Sequence, residues 1–156
     1  IEEDVRGIGG AGGLSLVLEI GGAGDNATGS YTMTAQENTP VEFTTTAGGK
    51  VIIGDIVEGV LEESLRIRYT LEITADTSID VLLSDETEEM DTYLRIYVDD
   101  AEEVTFENDD IEDGVVRNSR LLDLEVLGGQ TLIIEVAGFG DLESGPFVLT
   151  IKKSAE

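Results

Sequence analysis

Apolar and polar residues alternate along most of this chain with a period of two. In LRIRYTLEI, Leu65, Ile67, Tyr69, Leu71 and Ile73 fall on one face and Arg66, Arg68, Thr70 and Glu72 on the other, the pattern of a strand with one side in a core and one in water. The same alternation runs through Leu14-Leu16-Leu18-Ile20, Ile79-Val81-Leu83, Leu94-Ile96-Val98, Leu122-Leu124-Val126, Leu132-Ile134-Val136 and Phe147-Leu149-Ile151. No convincing helical period interrupts it. A chain patterned this way must build sheets that each hide one face, and antiparallel sheets tolerate water on the other. Gly-Gly pairs at 12–13, 21–22, 48–49 and 128–129, with Asp/Asn/Gly clusters at 25–29, 108–114 and 138–145, read as turns. Roughly ten short strands so punctuated predict an all-β antiparallel β-sandwich or jelly roll.

One part of the pattern is written twice. Residues 12–34, GGLSLVLEIGGAGDNATGSYTMT, recur without a gap as residues 128–150, GGQTLIIEVAGFGDLESGPFVLT. The copies share Gly12/Gly128, Gly13/Gly129, Leu16/Leu132, Glu19/Glu135, Gly22/Gly138, Gly24/Gly140, Asp25/Asp141, Gly29/Gly145 and Thr34/Thr150, and keep apolar size at Tyr31/Phe147 and Met33/Leu149. A single sandwich has one place for its closing strand pair. The expected division is therefore residues 1–35, a Gly-rich opening plus a strand pair, and residues 36–156, a whole sandwich, with the polar stretch AQENTP between them. Leu14, Leu16, Leu18 and Ile20 form an apolar face worth about 1.5–3 kcal/mol per side chain on burial, so the first unit must be covered. Donation in trans to a neighbouring subunit's sheet, membership of a preceding tandem domain, and one enlarged sandwich with internal symmetry each satisfy that demand.

Charge narrows the partners. Thirty-four acidic against nine basic residues give a net charge of −25, a field that repels nucleic acid and anionic lipid surfaces and attracts cations. The absence of both His and Cys removes imidazole and thiolate metal sites and every nucleophile that relies on a His base. No stretch approaches 18 consecutive apolar residues, so membrane insertion is not expected. The chain starts at Ile1, which fits either a leader already removed or a fragment.

The densest set of hard oxygen donors is FENDDIED, with Glu107, Asn108, Asp109, Asp110, Glu112 and Asp113, joined by Asp91 at the start of the strand expected to pair with it. Such a set suits Ca²⁺, which accepts six to eight oxygens in irregular loops; in a chain acidic throughout, an Asx-rich solvated turn is the plainer reading of the same residues. Asp99, Asp100, Glu102 and Glu103 belong to a hairpin turn, and Arg66 and Arg68 read as charge balance on a sheet face. Carboxylate pairs able to cleave glycosides are too easily found in so acidic a chain to mean anything, and there is no Trp for stacking a sugar. The loops GGAGDNATG and AGFGDLESG open no helix, so their Gly-x-Gly spacing is turn chemistry. Asn26-Ala27-Thr28 is an N-glycosylation sequon at Asn26.

MDTYLRIYVDDAEEVTFENDD, residues 90–110, and NSRLLDLEVLGGQTLIIEVAGFGDLESGPFVLTI, residues 118–151, together resemble the bacterial and archaeal pre-peptidase C-terminal domain. The shared order is an Asp-Thr-Tyr-Leu strand, an acidic turn, a second strand, Asn-Asp-Asp, a strand, a Gly turn and two closing strands around a Gly/Asp loop. The family's usual Asp-x-Tyr-x-Phe strand is represented only by RIRYTLEI at 66–73, without the acidic residue, and Pro146-Phe147 replaces the common small residue and Tyr. The resemblance implies a non-catalytic jelly-roll module of secreted proteins, commonly attached to extracellular proteases, with collagen-binding relatives that use calcium.

These readings converge on a non-enzymatic extracellular or cell-surface structural protein. Its expected partners are copies of itself, a filament or layer subunit joined by strand donation from residues 1–35 and reinforced by calcium. The alternative is an accessory substrate-binding or secretion module of a larger secreted hydrolase, recognising extracellular protein or polysaccharide.

Overall fold

The computed structural model describes residues 42–85, 87, 89–111 and 116–155. Leu14, Leu16, Leu18, Ile20, Asn26, Glu112 and Asp113 lie outside the described residues. Among the described residues, nine strands and one short 3₁₀ turn follow in the order β1 (Thr44–Val51), β2 (Ile56–Leu61), β3 (Leu65–Glu72), β4 (Thr77–Ser84), β5 (Thr92–Val98), β6 (Phe106–Asn108), β7 (Ser119–Val126), β8 (Thr131–Gly138), the turn Phe139–Asp141, and β9 (Gly145–Lys153). They form a five-stranded sheet in the order β1-β3-β8-β5-β6 and a four-stranded sheet in the order β2-β9-β4-β7. The all-β sandwich expected from the period-two pattern is the fold.

The alternation explains which faces meet. Leu71, Leu94, Ile96, Leu132, Ile134 and Val136 point inward from the large sheet, and Leu61, Ile79, Val81, Leu83, Phe147, Leu149 and Ile151 from the small one; all are buried in one continuous core. Two sheets of this kind pack about 10 Å apart, a gap that one layer of interleaved large side chains fills. Gly59 leaves room for the Phe147 ring, whose Cζ lies 2.5 Å from where a Cβ would stand.

Three features depart from the sequence reading. Gly48 and Gly49 are not a turn: they form a bulge inside β1, where the register slips between Ala47 and Gly49. Gly49 has φ of 104°, and a Cβ on Gly48 would strike the Tyr69 ring at 2.4 Å. Second, β1 runs parallel to β3, whereas every other ladder among the described residues is antiparallel. Third, the duplicated unit is not a paired hairpin in its C-terminal copy. Strand β8 lies between β3 and β5 in one sheet and β9 between β2 and β4 in the other, so residues 128–150 form an arch that crosses the sandwich.

The four sheet edges among the described residues are unequal. Strand β6 has three residues. Strand β7 is bulged against β4, with Asp123 at φ of 52°, and β1 carries its glycine bulge and Lys50. Strand β2 is unbulged, with an unbroken register on β9 from Ile56↔Thr150 to Leu61↔Gly145. Its outer face shows Ile56 and Val60 at 67% and 68% exposure on either side of Glu58. Bulges, charges and brevity are the usual protections of an edge, and β2 has only one charge.

Candidate functional site

The outer face of the five-stranded sheet carries an ordered set of ionic and aromatic side chains. Alternation sends Arg66 and Arg68 outward from β3, Glu135 and Ala137 from β8, and Tyr93, Arg95 and Tyr97 from β5. The ladder register then places Arg68 opposite Glu135 and Glu135 opposite Arg95, so one row across three strands reads cation, anion, cation. Glu135 has no solvent exposure. Its carboxylate accepts the Arg68 Nε–H at 2.7 Å and an Arg95 Nη1–H at 3.0 Å, with Arg66 Nη1 at 3.6 Å and the Tyr97 hydroxyl at 3.4 Å. A buried carboxylate is tolerable only when its lone pairs are filled in this way.

A second carboxylate fixes the end of the row. Arg66 donates from Nε and Nη2 to the two Asp141 oxygens, both at 2.7 Å, the bidentate geometry that guanidinium favours. Arg66 holds the Asp141 carboxyl below its ordinary pKa against the opposing effect of burial, and Asp141 raises that of Arg66 in turn. Asp141 reaches this position from the crossing between β8 and β9, at φ of 61° beside Gly140 at 63°. Aromatic rings underlie each cation: Arg66 sits 3.3 Å from the Phe43 ring centroid, Arg95 4.0 Å from Tyr93 and Arg68 4.9 Å from Tyr97. Phe139 packs against Tyr93 at 6.1 Å.

The acidic stretch expected to hold calcium divides into two groups. The Glu107 Oε2 accepts the Tyr93 hydroxyl at 2.9 Å and the Asn108 side-chain oxygen accepts the Arg120 backbone N–H at 2.8 Å. Asp109 Oδ1 accepts the Asp110 N–H at 2.9 Å. Asp91, just before β5, is raised above the ordinary carboxyl pKa first by burial and then by Asp110, with smaller contributions from Glu143 and Asp109 and an opposing one from Arg117. Its Oδ1 is buried and accepts no hydrogen bond. Asp110, Glu143 and Asp109 thus bear electrostatically on Asp91, and Glu143 is an addition to the set named from sequence. Among the described residues no group of three or more acidic side chains is close enough to hold a metal ion.

Sequence reasoning placed Arg66 and Arg68 on a sheet face balancing carboxylates, but not with Glu135, Asp141 and Arg95 in one network. A signal was present: Glu135 and Asp141 are two of the identities shared by the repeated unit, as Glu19 and Asp25.

Neither protein-family comparison nor comparison with curated proteins gives a match. Among solved structures, the pre-peptidase C-terminal domain of a collagenase from Bacillus anthracis superposes with a TM-score of 0.54 and 14% sequence identity, covering 74% of this chain and 100% of that domain. A periplasmic inhibitor of g-type lysozyme from Aeromonas hydrophila superposes with a TM-score of 0.50 and 14% identity, covering 71% of this chain and 100% of the inhibitor. The fold is that of the pre-peptidase C-terminal domain, as the motif order at 90–151 implied.

Proposed function

We propose that the chain is a non-catalytic extracellular or cell-surface structural protein that assembles by donating strands from residues 1–35 to the sheet of a neighbouring copy. The observation that supports this reading is β2, an unbulged edge with exposed Ile56 and Val60, which invites strand addition where the other edges among the described residues discourage it. The donor is the apolar face Leu14, Leu16, Leu18 and Ile20. Electron microscopy and sedimentation of the full chain test it. Assembly should be lost on deleting residues 1–35, and lost equally in Ile56→Lys/Val60→Lys, which gives β2 the charged guard it lacks. Polymers that persist in the deletion variant would refute donation, and polymers that persist only in the double-Lys variant would refute β2 as the acceptor.

A second reading is favoured by fold. The matched structures are a domain of a collagenase and a lysozyme inhibitor, which supports an accessory binding or secretion module of a larger secreted hydrolase. Retention of the chain on insoluble collagen, chitin or cellulose, with no assembly in solution, is the outcome that would favour this reading. Under either reading we propose Ca²⁺ at Asp91, whose buried Oδ1 accepts no hydrogen bond; with no ready-made acidic cluster among the described residues, backbone oxygens and water would supply most of its ligands. Calorimetric titration with CaCl₂ that released no heat attributable to binding would dismiss the cation.

A further inference from the structure

We infer that the outer face of the four-stranded sheet is a self-association surface, on which a second copy of this chain packs face to face about a two-fold axis running along the strands, with Glu58 of each copy meeting Arg120 of the other. The contact is made by side chains on a sheet face and not by backbone pairing at an edge, so it goes beyond strand donation and does not depend on it.

The ladder registers place the residues. One outward row across the four strands reads Ile56, Thr150, Leu82, Arg120; the next reads Glu58, Val148, Ser84; the third reads Val60, Pro146. Neighbouring strands lie about 4.8 Å apart and successive outward residues about 7 Å apart, so Ile56, Val60, Pro146, Val148 and Leu82 form one continuous apolar patch. Ile56 and Val60 are 67% and 68% exposed, and Val148 and Leu82 are half-buried but stand outside the core. The outer face of the other sheet, by contrast, carries the arginine row and its carboxylates. Flat apolar surface of this kind on a strongly charged chain marks a contact.

Charge identifies the occupant. With a net charge of −25, two copies repel unless they meet where the local charge is balanced. The three rows hold one charge of each sign, Glu58 on one outer strand and Arg120 on the other, and neither has an ion-pair partner among the described residues. In the row beyond, Asp80 is matched by Lys152 at 3.6 Å. A two-fold axis along the strands lays β2 of each copy over β7 of the other. Glu58 then arrives about 7 Å along the strand from Arg120, within reach of that long side chain, and the contact is made twice. The same operation sets Leu82 of one copy over Thr150 of the other, between Ile56 and Leu82, so the apolar side chains interleave as in sheet-on-sheet packing. An axis across the strands through the same patch stacks Glu58 on Glu58, a like-charge contact. Four strands of about six residues cover roughly 400 Å² of sheet, below the about 800 Å² per partner of a standard interface, so the pair is weak, with a dissociation constant of about 0.1–1 mM.

The chain has no Cys, so one introduced thiol reports the contact. Full chain carrying Ser84→Cys, on β4 and two strands in from the β2 edge, is treated with a short bis-maleimide at about 1 mM chain, and Thr70→Cys, on the outer face of the other sheet, serves as the control. Ser84→Cys should give a linked pair and Thr70→Cys should not. In the Ser84→Cys background, Glu58→Arg or Arg120→Glu alone should weaken pairing by about tenfold or more, and the two together should restore it. Recovery in the double reversal separates this contact from a simple effect of net charge, under which Glu58→Arg would tighten the pair. Leu82→Glu should abolish the link at position 84 while leaving any assembly that depends on residues 1–35 in place, so failure here and failure of strand donation are read separately. Circular dichroism melts of each variant separate lost pairing from lost fold. Equal linking at positions 84 and 70, no linking at 84, single reversals without effect, or a double reversal that does not recover would each overturn the inference.

Discussion

Replacing Glu135 by Gln tests whether the arginine row is held by a desolvated charge. The amide keeps the shape of the side chain but offers one acceptor oxygen where there were two, and turns an N–H₂ toward cations. Arg68 Nε at 2.7 Å and Arg95 Nη1 at 3.0 Å lose an anionic partner, and Arg66 Nη1 loses one at 3.6 Å. Removing one member of a buried ion pair costs about 3–5 kcal/mol. The lower end applies here, because Arg68 is partly solvated and Arg66 keeps Asp141. Relief of one negative charge in so acidic a chain offsets a few tenths of a kcal/mol. A net loss of about 3 kcal/mol, with a urea slope of about 2 kcal/mol/M for a domain of this size, moves the unfolding midpoint down by about 1.5 M. The chain has no Trp, so the transition is best followed by far-ultraviolet circular dichroism. The loss should persist in 1 M NaCl, where the screening length is about 3 Å and exposed pairs contribute little. A midpoint within about 0.3 M of the parent would refute the argument, and a loss that vanished in salt would show the row to be a surface ion pair.

Two further substitutions probe the core and the acidic loop. Gly59→Ala should destabilise by about 1–3 kcal/mol, because its Cβ must displace the Phe147 ring from 2.5 Å; a thermal midpoint within a degree of the parent would mean that the ring moves freely. Asp91→Asn should stabilise the protein at pH 7 by less than about 1 kcal/mol after solvent screening. The sign follows from the raised folded-state pKa: stability linked to Asp91 is full below the ordinary carboxyl range and is lost as pH rises through the folded value. The stability difference between parent and Asn variant should therefore vanish on acidification, and a difference that grew toward low pH would show the shift to be in the other direction.

The legible parts of the fold were those where alternation is strict and both neighbours are apolar. Strand β3 runs Leu65–Glu72, within the stretch read from LRIRYTLEI, and β8 and β9 contain the runs read at 132–136 and 147–151. Strand β1, TTTAGGKV, was opaque because it lies at an edge, exposed along seven of its eight residues, where no core enforces a pattern and glycines serve a bulge. The arch was misread as a pair because periodicity reports which side of a strand is buried and carries no information about which strand lies beside it. The same limit hid the arginine row: Arg66, Arg68, Arg95 and Glu135 are far apart in sequence, and only the register Arg68↔Glu135↔Arg95 brings them together.

The shared carboxylates of the two copies carry the last step. In the C-terminal copy, Glu135 and Asp141 are satisfied by arginines from β3 and β5, strands outside the repeated unit. The N-terminal copy retains Glu19 and Asp25, yet residues 1–41 contain one basic residue, Arg6. Under the proposed donation to β2, any cation for Glu19 and Asp25 would have to come from the receiving copy. If the chain assembles as proposed, Glu19→Gln should weaken that assembly by about 10- to 100-fold, the equivalent of one charge-assisted contact of about 1.5–3 kcal/mol, while the urea midpoint of the 42–155 sandwich stays where it is. Sedimentation equilibrium reads the first quantity and circular dichroism the second. Assembly that is observed and left unchanged by the substitution would refute a cation partner for Glu19.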